Sequence, residues 1–356
     1  LGSPGQALPG GELVKAVVIY APHDLRVDEI EPQPLGASGV RVRIGAGGIC
    51  GSDLHYYHNG GFGTVRLKQP MILGHEIAGT VVEVGADVRK VQVGQTVAVN
   101  PSRPCEACDY CRRGMQNHCL DMRFYGSAMR FPHVDGGFRE ALVCTEEQAV
   151  PVAGNVSVSE AAFAEPLSVA VHAAGRAGPL LGAKVLVAGS GPIGVLIAAV
   201  ARRAGAATIV VTDVLEAPLE FARRVGADVT VNVALRPGEL DRHQGVKGTF
   251  DVVFEASGNG AVMADAMRLL RPRGVLVCVG QGGEAALAIS TIVTKEIELR
   301  GAFRFHEEFR TAVSFLGDRL IDVGPLLTAV VDADDAREAF ELASDKARSM
   351  KVQLRF

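Results

Sequence analysis

From residue 184 onward the apolar positions come in unbroken runs rather than in alternation. The runs are residues 184–189 (KVLVAG), 207–213 (ATIVVTD), 250–257 and 275–280, with a short one at 229–233 and a last one near 296–303. Between them, residues 192–204, 219–225 and 261–270 carry helical spacing. A strand that is apolar at every position is covered on both faces. Strands of that kind alternating with helices predict a parallel, doubly wound α/β sheet. The first hundred residues read differently. Short β-branched strands at 15–20, 40–44, 76–84 and 96–99 are punctuated by Gly and Pro. After residue 303 two amphipathic helical segments and a closing strand, 351–356, remain. The pattern predicts a β-rich domain made of residues 1–164 and 304–356, with an α/β domain, 165–303, inserted into it.

Composition narrows the class. A chain of 356 residues that is 48% apolar can fill two cores. Its 36 basic and 40 acidic residues leave a net charge of −4, which argues against a nucleic-acid or membrane partner. No run reaches membrane-span length and no secretory signal opens the chain, so a cytoplasmic protein is expected. Residues 1–10 (LGSPGQALPG) are read as a leader outside the fold.

Four of the seven cysteines, Cys105, Cys108, Cys111 and Cys119, fall in a C-x2-C-x2-C-x7-C spacing. One loop, at about residues 100–122, can turn four such thiolates onto one tetrahedral Zn²⁺, leaving no open position for substrate. That set therefore predicts a structural metal. Cys144 and Cys278 lie in apolar strand-like runs and read as core residues. Cys50, in a turn-rich stretch, and His75-Glu76, at the start of a strand, are a sparser set that can hold Zn²⁺ with a position left open.

Gly189-Ser190-Gly191-Pro192-Ile193-Gly194 follows a strand and opens a helix. The three glycines permit a tight turn, close approach of a pyrophosphate and close helix–strand packing, while the helix N-terminus presents free N–H groups. Asp213 ends the next strand, where a carboxylate accepts hydrogen bonds from ribose hydroxyls and repels a 2′-phosphate. No Arg follows it directly, so NAD is expected over NADP.

These motifs, with residues 50–57 (CGSDLHYY), Gly74-His75-Glu76 and residues 164–168 (AEPLS), carry a resemblance over residues 15–356. The chain resembles the zinc-dependent medium-chain dehydrogenases of the polyol (sorbitol) branch. The resemblance implies a GroES-like catalytic domain and a Rossmann cofactor domain. It implies that Cys50 and His75 ligate a catalytic zinc, that Glu76 does so in some members and not in others, and that Glu165 holds or replaces the zinc-bound water. Ser52 and His55 match the proton relay. Tyr56 and Arg304 match positions lining the polyol site, with Arg130 and His133 as further candidates. Glu165 could instead cap the segment that follows it.

Residues 121–129 (DMRFYGSAM), 131–138 (FPHVDGGF), 300–305 (RGAFRF) and 351–356 (KVQLRF) are most similar to the members that oxidise L-idonate. Phe305 stands where sorbitol-oxidising members commonly have Tyr, which counts against sorbitol. The expected substrate is a small polyol or aldonate, with L-idonate oxidised at C5 to 5-keto-D-gluconate. Sorbitol, xylitol and L-threonine are the alternatives. The resemblance also implies a homodimer or homotetramer. A catalytically silent scaffold of the same fold would not require Cys50, Ser52, His55, His75 and Glu165 together.

Overall fold

The computed structural model describes residues 13–356, and the proposed leader lies outside the described residues. A six-stranded sheet runs in the order Val229–Asn232, Thr208–Asp213, Lys184–Ala188, Phe250–Glu255, Leu270–Cys278, Glu298–Gly301, and every neighbouring pair is parallel. The unbroken apolar runs have a direct cause. Val185 and Val187 pack into one core with the helices Ala164–Ala177 and Pro192–Arg203, while Leu186 between them packs into a second core with Val210, Val253 and Met267. Each face buries its own alternate residues. Strand order reverses on either side of Lys184–Ala188, which opens a crevice at the carboxyl ends of the strands.

The second sheet has seven strands. Ala149–Pro151, Thr96–Val99, Glu76–Val84, Gly39–Gly48, Lys351–Arg355 and Leu327–Asp332 follow one another, and Ala141–Thr145 pairs with Gly39–Gly48 as well. The late strand Lys351–Arg355 is thus hydrogen-bonded into the early sheet, with Gln353 opposite Gly48 and Leu354 opposite Gly47. Its core gathers Val42, Ile44, Val81, Val97, Phe138, Leu354 and the helix residue Phe340. Among the described residues no helix is long and apolar enough to cross a membrane.

Three elements depart from the sequence reading. Residues 50–57 are not a turn-rich stretch: Gly51–Asn59 is a helix. The Asp53 carboxylate accepts the Cys50 backbone N–H at 2.9 Å, a capping interaction, and Gly60 at φ 66° ends the helix. Flanking Gly and Asn residues disguised it. A 14-residue helix, Ala164–Ala177, spans the AEPLS motif, with Pro166 in the first turn where its missing N–H costs nothing. It packs against Pro192–Arg203, Glu308–Gly317 and Glu76–Val84, so it joins the two sheets. Finally, Leu327–Asp332 is a strand that, among the described residues, lies at the sheet edge and pairs only with Lys351–Arg355.

Candidate active site

Cys50 caps the helix Gly51–Asn59, and His75 and Glu76 stand at the start of Glu76–Val84. One ligand atom from each of these three residues lies within 4.8 Å of the others. Strand pairing alone brings Gly48 opposite Glu76, and a Cβ on Gly48 would sit 2.2 Å from Glu76 Oε2, so only glycine fits there. Asp53 is fully buried and accepts N–H groups from both ligand-bearing segments, Cys50 at 2.9 Å and Gly74 at 3.3 Å. Its Oδ1 is 3.8 Å from His75 Nδ1.

His75 Nδ1 is buried and has no hydrogen-bond partner among the described residues, which suits a ring that a metal would orient. A thiolate, an imidazole and a carboxylate in a buried pocket form a donor set of the kind that holds zinc. Burial, with Glu76 beside it, pushes the Cys50 thiol up to about 12. A cation is what such a pocket needs to keep the thiolate charged.

Glu76 has a second partner. Lys351 Nζ donates to its two carboxylate oxygens at 2.8 and 2.7 Å and to the Ile49 carbonyl at 3.1 Å. Both side chains are almost entirely buried. Burial opposes the Lys351 ammonium, but Glu76 and Cys50 outweigh it and hold the group above its ordinary value. Glu165, in the first turn of Ala164–Ala177, faces the same region but stands outside the tight three-residue set. Burial, opposed by His75 and reinforced by Glu76, pushes its carboxyl up to about 8. Ser52 Oγ is 3.5 Å from His75 Nε2, and His55, one turn further along the helix, is exposed.

The four-cysteine set is equally compact, with its sulfur atoms all within 4.8 Å of one another. Cys119 Sγ accepts N–H groups from Cys105 at 3.1 Å and Asp121 at 3.3 Å. Backbone N–H groups of Leu120 and Cys111 pull the Cys108 thiol down to about 6. No disulfide joins any of the seven cysteines.

At the crevice of the parallel sheet, Gly189 adopts φ 98°, and a Cβ on Gly194 would lie 1.9 Å from the Gly189 carbonyl oxygen. A Cβ on Gly191 would meet nothing within 4 Å, which leaves the open face a pyrophosphate requires. Asp213 Oδ2 accepts Ser190 N–H at 2.8 Å and Ser190 Oγ–H at 3.1 Å, and Oδ1 accepts Val214 and Leu215 N–H groups at 2.8 and 3.0 Å. The carboxylate therefore ties the glycine turn to the second strand and fixes a negative charge there.

A cavity of about 340 Å³ is lined by Cys119, Asp121, Phe124, Ser127, Arg130 and Arg304 among others. The Phe124 ring links it to the metal set, its centre 5.6 Å from that of His75.

Residues 36–154 match the family described as alcohol dehydrogenase GroES-like domain, and residues 192–318 match zinc-binding dehydrogenase. The L-idonate 5-dehydrogenase (NAD(P)(+)) of Escherichia coli K12 is 47% identical over 320 residues, covering 90% of this chain and 92% of that one. The crystal structure of the E. coli L-idonate 5-dehydrogenase superposes with a TM-score of 0.90 at 43% identity, covering 97% of this chain and 98% of that one. Sorbitol dehydrogenase of Bos taurus is 35% identical over 345 residues, 96% of this chain and 95% of that one. The chain belongs to the zinc-dependent medium-chain dehydrogenases, in their polyol branch.

Within this dehydrogenase the four expected substrate residues separate. Arg304 lines the cavity, its guanidinium carbon 4.1 Å from the centre of the Phe124 ring and Nη2 3.0 Å from Met129 Sδ. Burial pushes it down to about 10, against the pull of Glu165. Arg130 also lines the cavity but is ion-paired with Asp121. The Tyr56 hydroxyl is buried and accepts the Ala128 N–H at 2.9 Å.

His133 departs from expectation: Nε2 accepts the Lys68 N–H at 2.8 Å, so Nδ1 carries the proton and donates to the Arg130 carbonyl at 2.8 Å. Both nitrogens are spent on backbone, and the ring has nothing left to offer a substrate. Phe305 also loses the weight given to it. It lies 1% exposed in the core, against Phe309, and does not line the cavity. Two residues that the sequence reading left without a role, Asp53 and Lys351, contact the metal donors or their backbone. Asp53 carried a readable signal, three residues after the Cys50 cap, whereas Lys351 carried none.

Proposed function

We propose that this dehydrogenase oxidises a secondary hydroxyl of a sugar acid, L-idonate at C5, to the ketone, with NAD⁺ as hydride acceptor. The observation that carries the acid end is Arg304. Its guanidinium lies in the cavity wall between Phe124 and Phe303 and makes no ion pair among the described residues. A desolvated, unpaired guanidinium is a costly feature unless an anion arrives to meet it.

Cys50 and His75, with Glu76 or a water as third donor, would hold the zinc, which supplies Lewis acidity to a coordinated hydroxyl. The 189–194 turn would hold NAD⁺, which would supply the hydride acceptor. Asp53 fixes the spacing of the two ligand-bearing backbones, and Lys351 fixes the direction of Glu76. In this reading Ser52 would relay the hydroxyl proton through the cofactor ribose toward His55 and solvent. Partial desolvation, with Lys346 and His58 adding to it, holds the His55 pKa below its ordinary value. Glu165 offers a carboxyl beside the metal donors. The cavity lined by Arg304 and Phe124 would take the far end of the substrate, with Phe124 between it and His75.

Arg304→Ala should lower kcat/KM for L-idonate by about 10- to 100-fold, the worth of a charge-assisted contact. The alditol of the same carbon skeleton, which has no carboxylate, should lose far less. Steady-state kinetics on the pair decides it, and equal losses on both would remove the acid-recognition role.

Cofactor preference has its own test. With the Asp213 carboxylate at the adenosine end, a 2′-phosphate would face negative charge, while the nearby Glu216 is ion-paired with Arg223. The ratio of kcat/KM for NAD⁺ over NADP⁺ should be about 100 or more. A ratio near one would overturn the preference and leave a dual-cofactor enzyme.

A further inference from the structure

Arg304 adopts φ 53°, the left-handed region that side chains other than glycine seldom occupy, so something must hold the peptide before it. The Phe303 carbonyl in that peptide accepts a hydrogen bond from Asn117 Nδ2 at 3.0 Å, across 186 residues of chain. Asn117 sits in the single turn Gln116–His118, immediately before the ligand-type cysteine Cys119. The next residue, His118, lies with its ring 5.9 Å from the Phe303 ring. Phe303 in turn forms one wall of the Arg304 guanidinium, at 5.0 Å. Cys119, Leu120 and Asp121, the chain that leaves the lobe, line the same cavity as Arg304. The lobe is therefore a wall of the cavity that Arg304 lines and holds the strained peptide before that residue.

We propose that Asn117 is a positioning residue for substrate recognition: by holding the Phe303 carbonyl it keeps the Arg304 guanidinium turned into the cavity, so that the four-cysteine lobe sets the affinity for the far end of the substrate. The inference rests on Arg304 being the residue that meets that end, as proposed above. Losing the anchor frees the 303–304 peptide to leave the left-handed region, and the guanidinium leaves with it. The effect falls on binding, since the Cys50, His75 and Glu76 donors are carried on other elements.

Asn117→Ala and the isosteric Asn117→Asp, which loses the donor without changing size, are compared with wild type in the zinc-loaded holoenzyme. Zinc per chain and melting temperature are measured alongside kinetics. Both variants should keep wild-type zinc and melting temperature and raise KM for L-idonate about tenfold. kcat should stay within about twofold and KM for NAD⁺ should be unchanged. On an Arg304→Ala background, Asn117→Ala should add almost nothing, because two residues acting through one contact are not additive.

A full additional tenfold on that background overturns the proposal. So does an equal fall in kcat, or loss of zinc or of the melting transition in both variants, each of which marks a purely structural role. If wild type uses the alditol as well as the acid, acid recognition fails separately. The same double-mutant cycle on the alditol then still decides the positioning role: coupling sustains it and additivity sinks it.

Discussion

Cys50→Ser should leave a folded protein that still binds NADH and turns over at roughly one ten-thousandth of the wild-type rate or less. The fold should survive because Cys50 is the residue that caps the helix Gly51–Asn59, and Ser is among the best residues at such a position. The chemistry should not. Zinc lowers the pKa of a coordinated water from about 16 to about 7, and at about 1.4 kcal/mol per unit the loss of that field exceeds a four-decade fall in rate. An alcohol side chain is a poor substitute for a thiolate in a set that has one sulfur, one imidazole and one carboxylate. Zinc should fall from two ions per chain to one while NADH fluorescence still titrates to one site per chain. Retained turnover with a single zinc ion would show that the metal set at Cys50 is not where the reaction happens.

Lys351→Met should be the most destabilising single change outside the metal donors, by about 3–5 kcal/mol. The lysine is the ammonium partner of Glu76, and the side chains of the pair are 3% and 2% exposed. Removing it strands a carboxylate among Cys50, Glu165 and buried backbone. Adding Glu76→Gln to Lys351→Met should recover most of the loss, since removing both charges of a buried pair is often close to neutral. Differential scanning calorimetry of the zinc-loaded enzyme reads both effects, as a melting temperature lowered by at least about 5 °C in the single variant and largely restored in the double. An unchanged transition in the single variant would mean that Glu76 is neutralised by something other than Lys351. Zinc content measured in the same samples tells whether the metal has taken over that task.

The cofactor half was legible because a two-sided buried strand must be apolar at successive positions, and a phosphate turn must have its glycines at fixed offsets. The strand Lys184–Ala188 and the turn after it obey both requirements. The four-cysteine lobe was legible for a similar reason: all its donors come from one short loop. The helix Gly51–Asn59 was hidden because it begins and ends in residues that favour turns, and its cap is a carboxylate three residues inside it.

What could not be read at all were relations between distant segments. Nothing around residue 351 says that its ammonium will meet a carboxylate 275 residues earlier, and nothing around residue 117 says that it will hold a carbonyl at 303. His133 shows the opposite failure. Its residue type invites a catalytic or binding role, yet backbone groups at Lys68 and Arg130 take both ring nitrogens. Residue type sets what a side chain is able to do, and packing decides which of those abilities is used.

The pairing of Lys351–Arg355 with Gly39–Gly48 has a consequence for how the molecule is made. Translation delivers Cys50, His75 and Glu76 early, but the ammonium that neutralises Glu76 emerges only after the whole parallel sheet has been synthesised. Until then the carboxylate has reason to stay hydrated, and the segment around it has reason to remain loose. The metal donors therefore reach their final surroundings only once the last strand has docked, after the residues of the nucleotide-binding half are already available to fold.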